Sequence, residues 1–178
     1  MRTGEPAGKR RGQSLVELSI SLTVMLLLVA GAVSFGMAYF SYVSIRDAAQ
    51  EGALYGSINP CVDQSSPLNG LCDPGEPVNS PGVCDRVQNS SSSPVDLSTF
   101  ACHEGNPPAP QDITENAIYV GNTGNFCQGG SPPNAITVSV TYLYPVFMPF
   151  VGAIIGRQDI PLTATVTDTI LEPRCPSP

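Results

Sequence analysis

One junction near the start of the chain places an ionisable side chain at the head of a long apolar segment. The basic run Lys9-Arg10-Arg11 ends in Gly12, and Glu17 follows five residues later. From Leu18 to Ile45 the chain then has 28 residues without a charge. A charged group at mid-bilayer costs about 2.5–3.5 kcal/mol on insertion scales, so an acid in this place indicates a function.

The apolar segment is long enough to cross a membrane. As a helix, 28 residues extend about 42 Å, more than the roughly 30 Å of a hydrocarbon core. Residues 1–12 carry four basic groups and one acid, whereas residues 13–178 carry four basic and fourteen acidic groups. The positive-inside rule therefore predicts a single-pass protein with residues 1–12 in the cytoplasm and its C-terminal domain outside a bacterial cell membrane. The acidic exported part argues against nucleic-acid binding.

Six cysteines all lie in the part that is predicted to be exported: Cys61, Cys72, Cys84, Cys102, Cys127 and Cys175. An even number of cysteines beyond a membrane segment favours disulfides in an oxidising compartment. We expect three disulfides, and six cysteines allow fifteen pairings. A zinc site is disfavoured because there is no C-x-x-C pair and His103 is the only histidine. We predict neither a metal nor another cofactor.

The chain divides into four segments by composition. They are a basic leader (1–12), a helix that includes the span 18–45 (13–57), an exported loop region rich in Pro, Gly, Ser and Cys (58–133), and a C-terminal β-hairpin region (134–178). The helix ends at Asn59-Pro60, because the residue before proline avoids the helical conformation. A short strand is possible at Ala117–Val120.

Two segments of the last third alternate apolar and polar residues, as half-buried strands do. They are Ala135–Tyr144 and Ile160–Ile170. The apolar connection Pro145–Gly156 either folds back onto the protein or rests on the membrane or a neighbouring subunit. The predicted fold is α+β: a long N-terminal transmembrane helix packed on a small C-terminal antiparallel sheet, with a disulfide-rich loop region between them.

These features resemble the TadE-like pseudopilins, or minor pilins, of the tight-adherence (Flp, type IVc) pilus system. The resemblance covers Arg10–Glu17, the apolar helix, the run Arg46–Ala53 and the final strand pair. It implies cleavage between Gly12 and Gln13 by a prepilin peptidase, an aspartyl membrane protease. Glycine suits such a site because it has no side chain to clash with a protease cleft.

The resemblance also implies a role for Glu17 in subunit assembly. Its carboxylate would pair with the new amino terminus of Gln13, in the same or an adjacent subunit, and so offset the burial of both charges. The alternative is that Glu17 lies in the cytoplasmic headgroup zone.

Small side chains along the apolar helix let neighbouring helices approach closely. Ala30, Ser34 and Ala38 recur every four residues, and Gly36 lies on another stripe. Ala48, Gly52 and Gly56 continue this pattern beyond the membrane. We therefore expect other pilin or pseudopilin subunits, together with membrane lipid, as partners of the helix.

The predicted function is a structural one: a pilin-like minor subunit in pilus assembly and surface adhesion. One alternative is a secreted or single-pass membrane-anchored, disulfide-stabilised extracellular binding domain. A cleaved signal peptide, with an apolar core at Leu15–Val29 and the triplet Ala30-Gly31-Ala32, would give the secreted form. An enzyme is disfavoured because His103, beside Cys102 in a predicted loop, is the one histidine that could act as a base.

Overall fold

The structure is a computed structural model that describes residues 9–60, 79–123, 135–146 and 156–170. Two parts of the predicted organisation lie outside these ranges: most of the basic leader and most of the apolar connection Pro145–Gly156. Four of the disulfide candidates also lie outside them, namely Cys61, Cys72, Cys127 and Cys175.

The first element, α1, is a helix of 50 residues from Lys9 to Ile58. It begins inside the predicted leader and ends one residue beyond the predicted end. The Asn59 N–H donates to the Tyr55 carbonyl at 2.9 Å, and Pro60 follows, which cannot continue the helical ladder. From Ser41 onward one face of α1 is buried, at a spacing of three or four residues, and small side chains dominate it.

A second helix, α2, spans Ser80–Gln88 inside the region that was predicted to be loops. Asn79 caps it: the Asn79 Oδ1 accepts a hydrogen bond from the Gly82 N–H at 3.1 Å. Pro81 lies in the first turn, where its missing N–H has no cost. Val83 and Val87 are fully buried between α2 and α1.

Within the described ranges the strands form one four-stranded sheet in the order β1-β2-β3-β4. The strands are β1 (Ala101–Glu104), β2 (Ala117–Thr123), β3 (Ala135–Pro145) and β4 (Asp159–Thr169). Strands β2, β3 and β4 pair antiparallel, whereas β1 pairs parallel with β2. The predicted α+β fold is confirmed, and the sheet is mixed rather than wholly antiparallel, because residues 105–116 return the chain to the level at which β1 started.

Strand β3 is the centre of the core. Its residues Ile136, Val138 and Val140 are fully buried on the face that packs against α1. On the opposite face the strands β3 and β4 pair hydroxyl groups across the ladder: Thr137 with Thr167 (3.0 Å), Ser139 with Thr165 (2.8 Å) and Thr141 with Thr163 (3.4 Å). Such cross-strand pairs fix the register of a sheet.

A disulfide joins Cys84 of α2 to Cys102 of β1, with 6.2 Å between their Cα atoms. It ties the region between α1 and β2 to the edge of the sheet. This bond confirms a disulfide between two of the six candidate cysteines. Phe100, just before β1, is buried and stacks on Tyr142 of β3 with 6.1 Å between ring centroids.

Candidate processing and assembly site

The predicted processing residues lie on the first turns of α1. Gly12, Gln13 and Glu17 are all exposed, and a Cβ added at Gly12 would have nothing within 4 Å. Gln13 and Glu17 are four residues apart, so their side chains share one face of the helix with about 5–6 Å between Cβ atoms. An amino terminus created at Gln13 would therefore lie within reach of the Glu17 carboxylate.

Glu17 shares its helix face with the polar residues Gln13, Ser14 and Ser21. Among residues 12–60 no basic side chain pairs with it. The flanking residues Val16 and Leu18 are exposed and hydrophobic. Within residues 12–60 the carboxylate thus has no cationic partner.

The helix that carries these residues is long and apolar enough to cross a membrane. The segment Gly12–Ile58 contains an 18-residue window of mean hydropathy 2.3, no part of which is buried within the protein. Large hydrophobic side chains from Leu15 to Phe40 are more than half exposed. Such a surface is stable where lipid or other helices cover it.

The far end of the predicted span belongs to the protein core rather than to this exposed surface. Ile45, the last residue of the predicted span 18–45, is 0% exposed and packs within the hydrophobic core. Ser41 is buried as well. The last turn of the predicted span therefore belongs to the domain that α1 forms with the sheet. The apolar composition of this turn did not distinguish it from the exposed part of the span.

The predicted helix-packing residues divide between two faces of α1. The Tyr144 hydroxyl of β3 donates to the Ser34 carbonyl at 3.4 Å, and both Ser34 and Ala38 are half-buried. Ala30 and Gly36 are exposed. At 100° per residue Gly36 points away from the face that Ser34 and Ala38 share. Ser34 and Ala38 therefore lie towards this chain's own sheet, and Gly36 lies on a face that another subunit can reach.

Near the C-terminal end of α1, Gly52 and Gly56 let the helix contact α2 and β3. A Cβ at Gly52 would overlap the Val87 side chain, and one at Gly56 would overlap Ile136. The small residues that continue the pattern after the predicted span are thus used within the subunit. Their spacing was visible in the sequence, but their contacts were not.

A shallow groove runs between α1 and the segment Ser90–Pro94, with a volume of about 270 Å³. Ser44 and Ser91 approach to 3.1 Å between their hydroxyl oxygens at its wall. Asp47 and Glu51 also line it. Glu51 forms an ion pair with Arg86 of α2, and because both side chains are well exposed this pair contributes little stability.

His103 lies on the exposed face of β1. Its Nε2 atom is 3.0 Å from Glu115 Oε1, and its ring stacks on Tyr119 at 5.2 Å between centroids. Partial burial, with the Glu115 carboxylate nearby, raises the pKa of Tyr119. The neighbouring Cys102 has no free thiol because it is bonded to Cys84. In the described ranges no three His, Cys, Asp or Glu side chains come together as metal ligands.

Taken together, the elements define a class of architecture. One helix is exposed and apolar in its first half, and its second half packs on a sheet to form the core. Residues 12–54 match the family model described as TadE-like protein. The match begins at Gly12 and ends four residues before the end of α1, so it confirms the resemblance over residues 12–54 of the helix, and the strand pair lies outside it. No curated protein and no solved structure gives a significant match to the chain.

Proposed function

We propose that this protein is a TadE-type minor pilin or pseudopilin with a structural role in pilus assembly and surface adhesion. The observation that carries the proposal is Glu17: an unpartnered acid on an exposed apolar helix, one turn after Gln13, in a segment that is TadE-like. In a bilayer such an acid needs a cation, and a new amino terminus at Gln13 supplies one.

The proposed topology follows from the charges and the exposed helix. The N-terminus lies in the cytoplasm, α1 crosses the membrane once, and the domain from Ser41 onward lies outside the cell. A prepilin peptidase removes residues 1–12. The exposed position of Gly12, with open space around its Cα, supports access of a protease to this bond.

Subunit contacts are proposed to use the side of α1 that faces away from its own sheet. Gly36, Phe40, Leu54 and Ile58 lie along this side, and all four are exposed. Their spacing keeps them on one stripe of a helix. Neighbouring pilin-like helices packed on this stripe would cover its apolar surface, with Glu17 setting the axial register. The exported loops remain free for adhesion.

The processing step is tested by mass spectrometry of the mature N-terminus after production of the full chain with a prepilin peptidase. We expect a chain that begins at Gln13. Gly12→Leu should keep residues 1–12, because a bulky side chain blocks the protease cleft while nothing in the protein contacts that position. A chain that keeps its leader despite an active peptidase would refute the proposal, and a chain that begins at Val33 would identify a cleaved signal peptide.

The assembly step is tested with Glu17→Gln, which keeps the shape of the side chain and removes its charge. We expect normal cleavage but at least about a tenfold loss of the chain from sheared filaments or from complexes with other pilins, because an unpaired amine in lipid is unfavourable. Ser21→Ala, at an exposed polar position of the same segment, is the matched control. Equal assembly of both variants would exclude the role given to Glu17.

A further inference from the structure

We infer that the base of the exported domain is a second membrane-contacting surface, seated in the lipid headgroups of the outer leaflet by an aromatic collar. The collar consists of the exposed side chains Phe35, Tyr39, Phe40 and Tyr42 of α1. The inference rests on the proposed insertion of α1 into the membrane, but not on cleavage or on pilus assembly.

Four of the five aromatic residues of α1 lie in one band, and the fifth, Tyr55, packs against the core. The helix has none from Lys9 to Ser34 and then four within eight residues. Phe35, Tyr39 and Phe40 are 74%, 61% and 62% exposed, and Tyr42 is also exposed. The band is about 10 Å tall at the helical rise, close to the depth of a headgroup layer. Aromatic rings are enriched at this depth because they combine an apolar body with a polar edge.

Strand β3 brings further tyrosines to the same level. The Tyr144 hydroxyl donates to the Ser34 carbonyl, one residue before the band begins. Tyr142 meets Tyr144 edge-on with 6.4 Å between ring centroids. The four rings of α1 are exposed, whereas Tyr144 is buried and Tyr142 is half-buried. The strand tyrosines therefore fix the base of the domain beside the band, and the exposed rings of α1 form the surface that would contact lipid.

The β3–β4 pair continues two residues beyond Tyr144. The Val146 N–H donates to the Gln158 carbonyl at 2.8 Å, and Pro145 pairs with Asp159. Arg157 is half-buried, and its guanidinium donates to the Ile113 carbonyl at 3.4 Å. A bilayer surface is the partner that fits the exposed aromatic band beside this end of the sheet.

The resulting span has the thickness of a bilayer. Twenty-one residues separate Gln13 from Ser34, which is about 32 Å along a helix and matches the roughly 30 Å hydrocarbon core. Glu17 then lies about 6 Å from the inner boundary. A span that continued to Ile45 would place the protein's own core inside the lipid.

The test uses the absence of tryptophan from the chain, which makes any introduced tryptophan a unique reporter. Three variants of the full chain are reconstituted in phosphatidylcholine vesicles that contain lipids brominated either near the headgroup or near the chain end. Leu26→Trp reports the middle of the span, Gln158→Trp the base of the domain, and Thr169→Trp the opposite end of β4. All three positions are exposed, so no variant alters the core.

We expect Leu26→Trp to be quenched most by bromine near the chain end. Gln158→Trp should lose on the order of half of its emission to bromine near the headgroup, as expected for a group 5–10 Å into the interface. Thr169→Trp should lose almost none. If Leu26→Trp is quenched but Gln158→Trp and Thr169→Trp are quenched equally weakly, the inference about the base of the domain is overturned and the proposed membrane insertion is not. Failure of Leu26→Trp to be quenched would overturn the proposed membrane insertion as well.

Discussion

At the scale of single residues, Gly52 and Gly56 set the distance of α1 from α2 and β3. Each lies where an added methyl group would overlap a buried side chain: Val87 above Gly52, and Ile136 above Gly56. Both contacts are to the fully buried core, so the overlap cannot be relieved by a movement into solvent. These glycines are required by close packing rather than by an unusual backbone conformation.

We therefore expect Gly52→Ala to lower the free energy of unfolding of the domain by about 1–3 kcal/mol, the usual cost of overpacking. The measurement is denaturant unfolding of the full chain in detergent micelles, followed by near-ultraviolet circular dichroism. Gly36→Ala is the matched control, because its new methyl group would have nothing within 4 Å. Equal stabilities for the two variants would contradict the packing described for α1 and α2.

The roles of single residues could be predicted from the sequence better near the N-terminal end of α1 than near its C-terminal end. Gly12, Gln13 and Glu17 stand out because a charge beside an apolar run is rare, and the TadE-like match covers them. Ser34 and Ala38 have the right spacing for contacts between subunits, yet they lie against Tyr144 of the same chain. Spacing shows which residues share a face, but not what covers that face.

At the scale of elements, a disulfide joins α2 to the edge strand β1, and we expect it to stabilise the attachment of both elements. Strand β1 has four residues and lies at the edge of the sheet, so it pairs with one strand, β2. Cys84 and Cys102 are separated by 18 residues, so their bond closes a short loop around the buried residues Val95, Leu97 and Phe100. Such a link stabilises mainly by limiting the unfolded chain.

Replacing both cysteines, as Cys84→Ser with Cys102→Ser, should lower the free energy of unfolding by about 3 kcal/mol, the value for a loop of this length. The same denaturation experiment measures it. Arg86→Ala is the control on the same helix: it removes the exposed ion pair with Glu51 and should cost less than about 1 kcal/mol. A double variant no less stable than Arg86→Ala would show that the bond does not hold β1 in place.

The elements of the middle region were the hardest to predict from the sequence. The start of α2 has an Asn79 cap and Pro81 in its first turn, which are helix-start signals. The Pro-Gly pair and the surrounding serines favoured a loop instead. The strands β3 and β4 were predicted because long alternation is a strong signal, whereas β1 has only four residues and its parallel pairing depends on the path of residues 105–116.

At the scale of the whole molecule, the buried core and the exposed apolar surface occupy different halves of α1. The buried residues of the helix begin at Ser41, and residues 12–30 are exposed. A fragment that begins at Ala38 keeps every buried residue of α1. We expect it to be monomeric and water-soluble without detergent, with the Cys84–Cys102 bond formed. Size-exclusion chromatography and peptide mapping without reduction check this, and aggregation of the fragment would show that residues 12–37 are needed for folding.

The continuity of α1 has a mechanical consequence. No proline interrupts the chain between Lys9 and Ile58, and the helix is unbroken over its 50 residues. A force applied to the sheet along the helix axis is therefore transmitted to the first turns of α1 without a hinge that could absorb it. If the proposed topology holds, the subunit would leave the bilayer as one rigid rod, and lipid headgroups around its aromatic rings would be exchanged for the helices of neighbouring subunits.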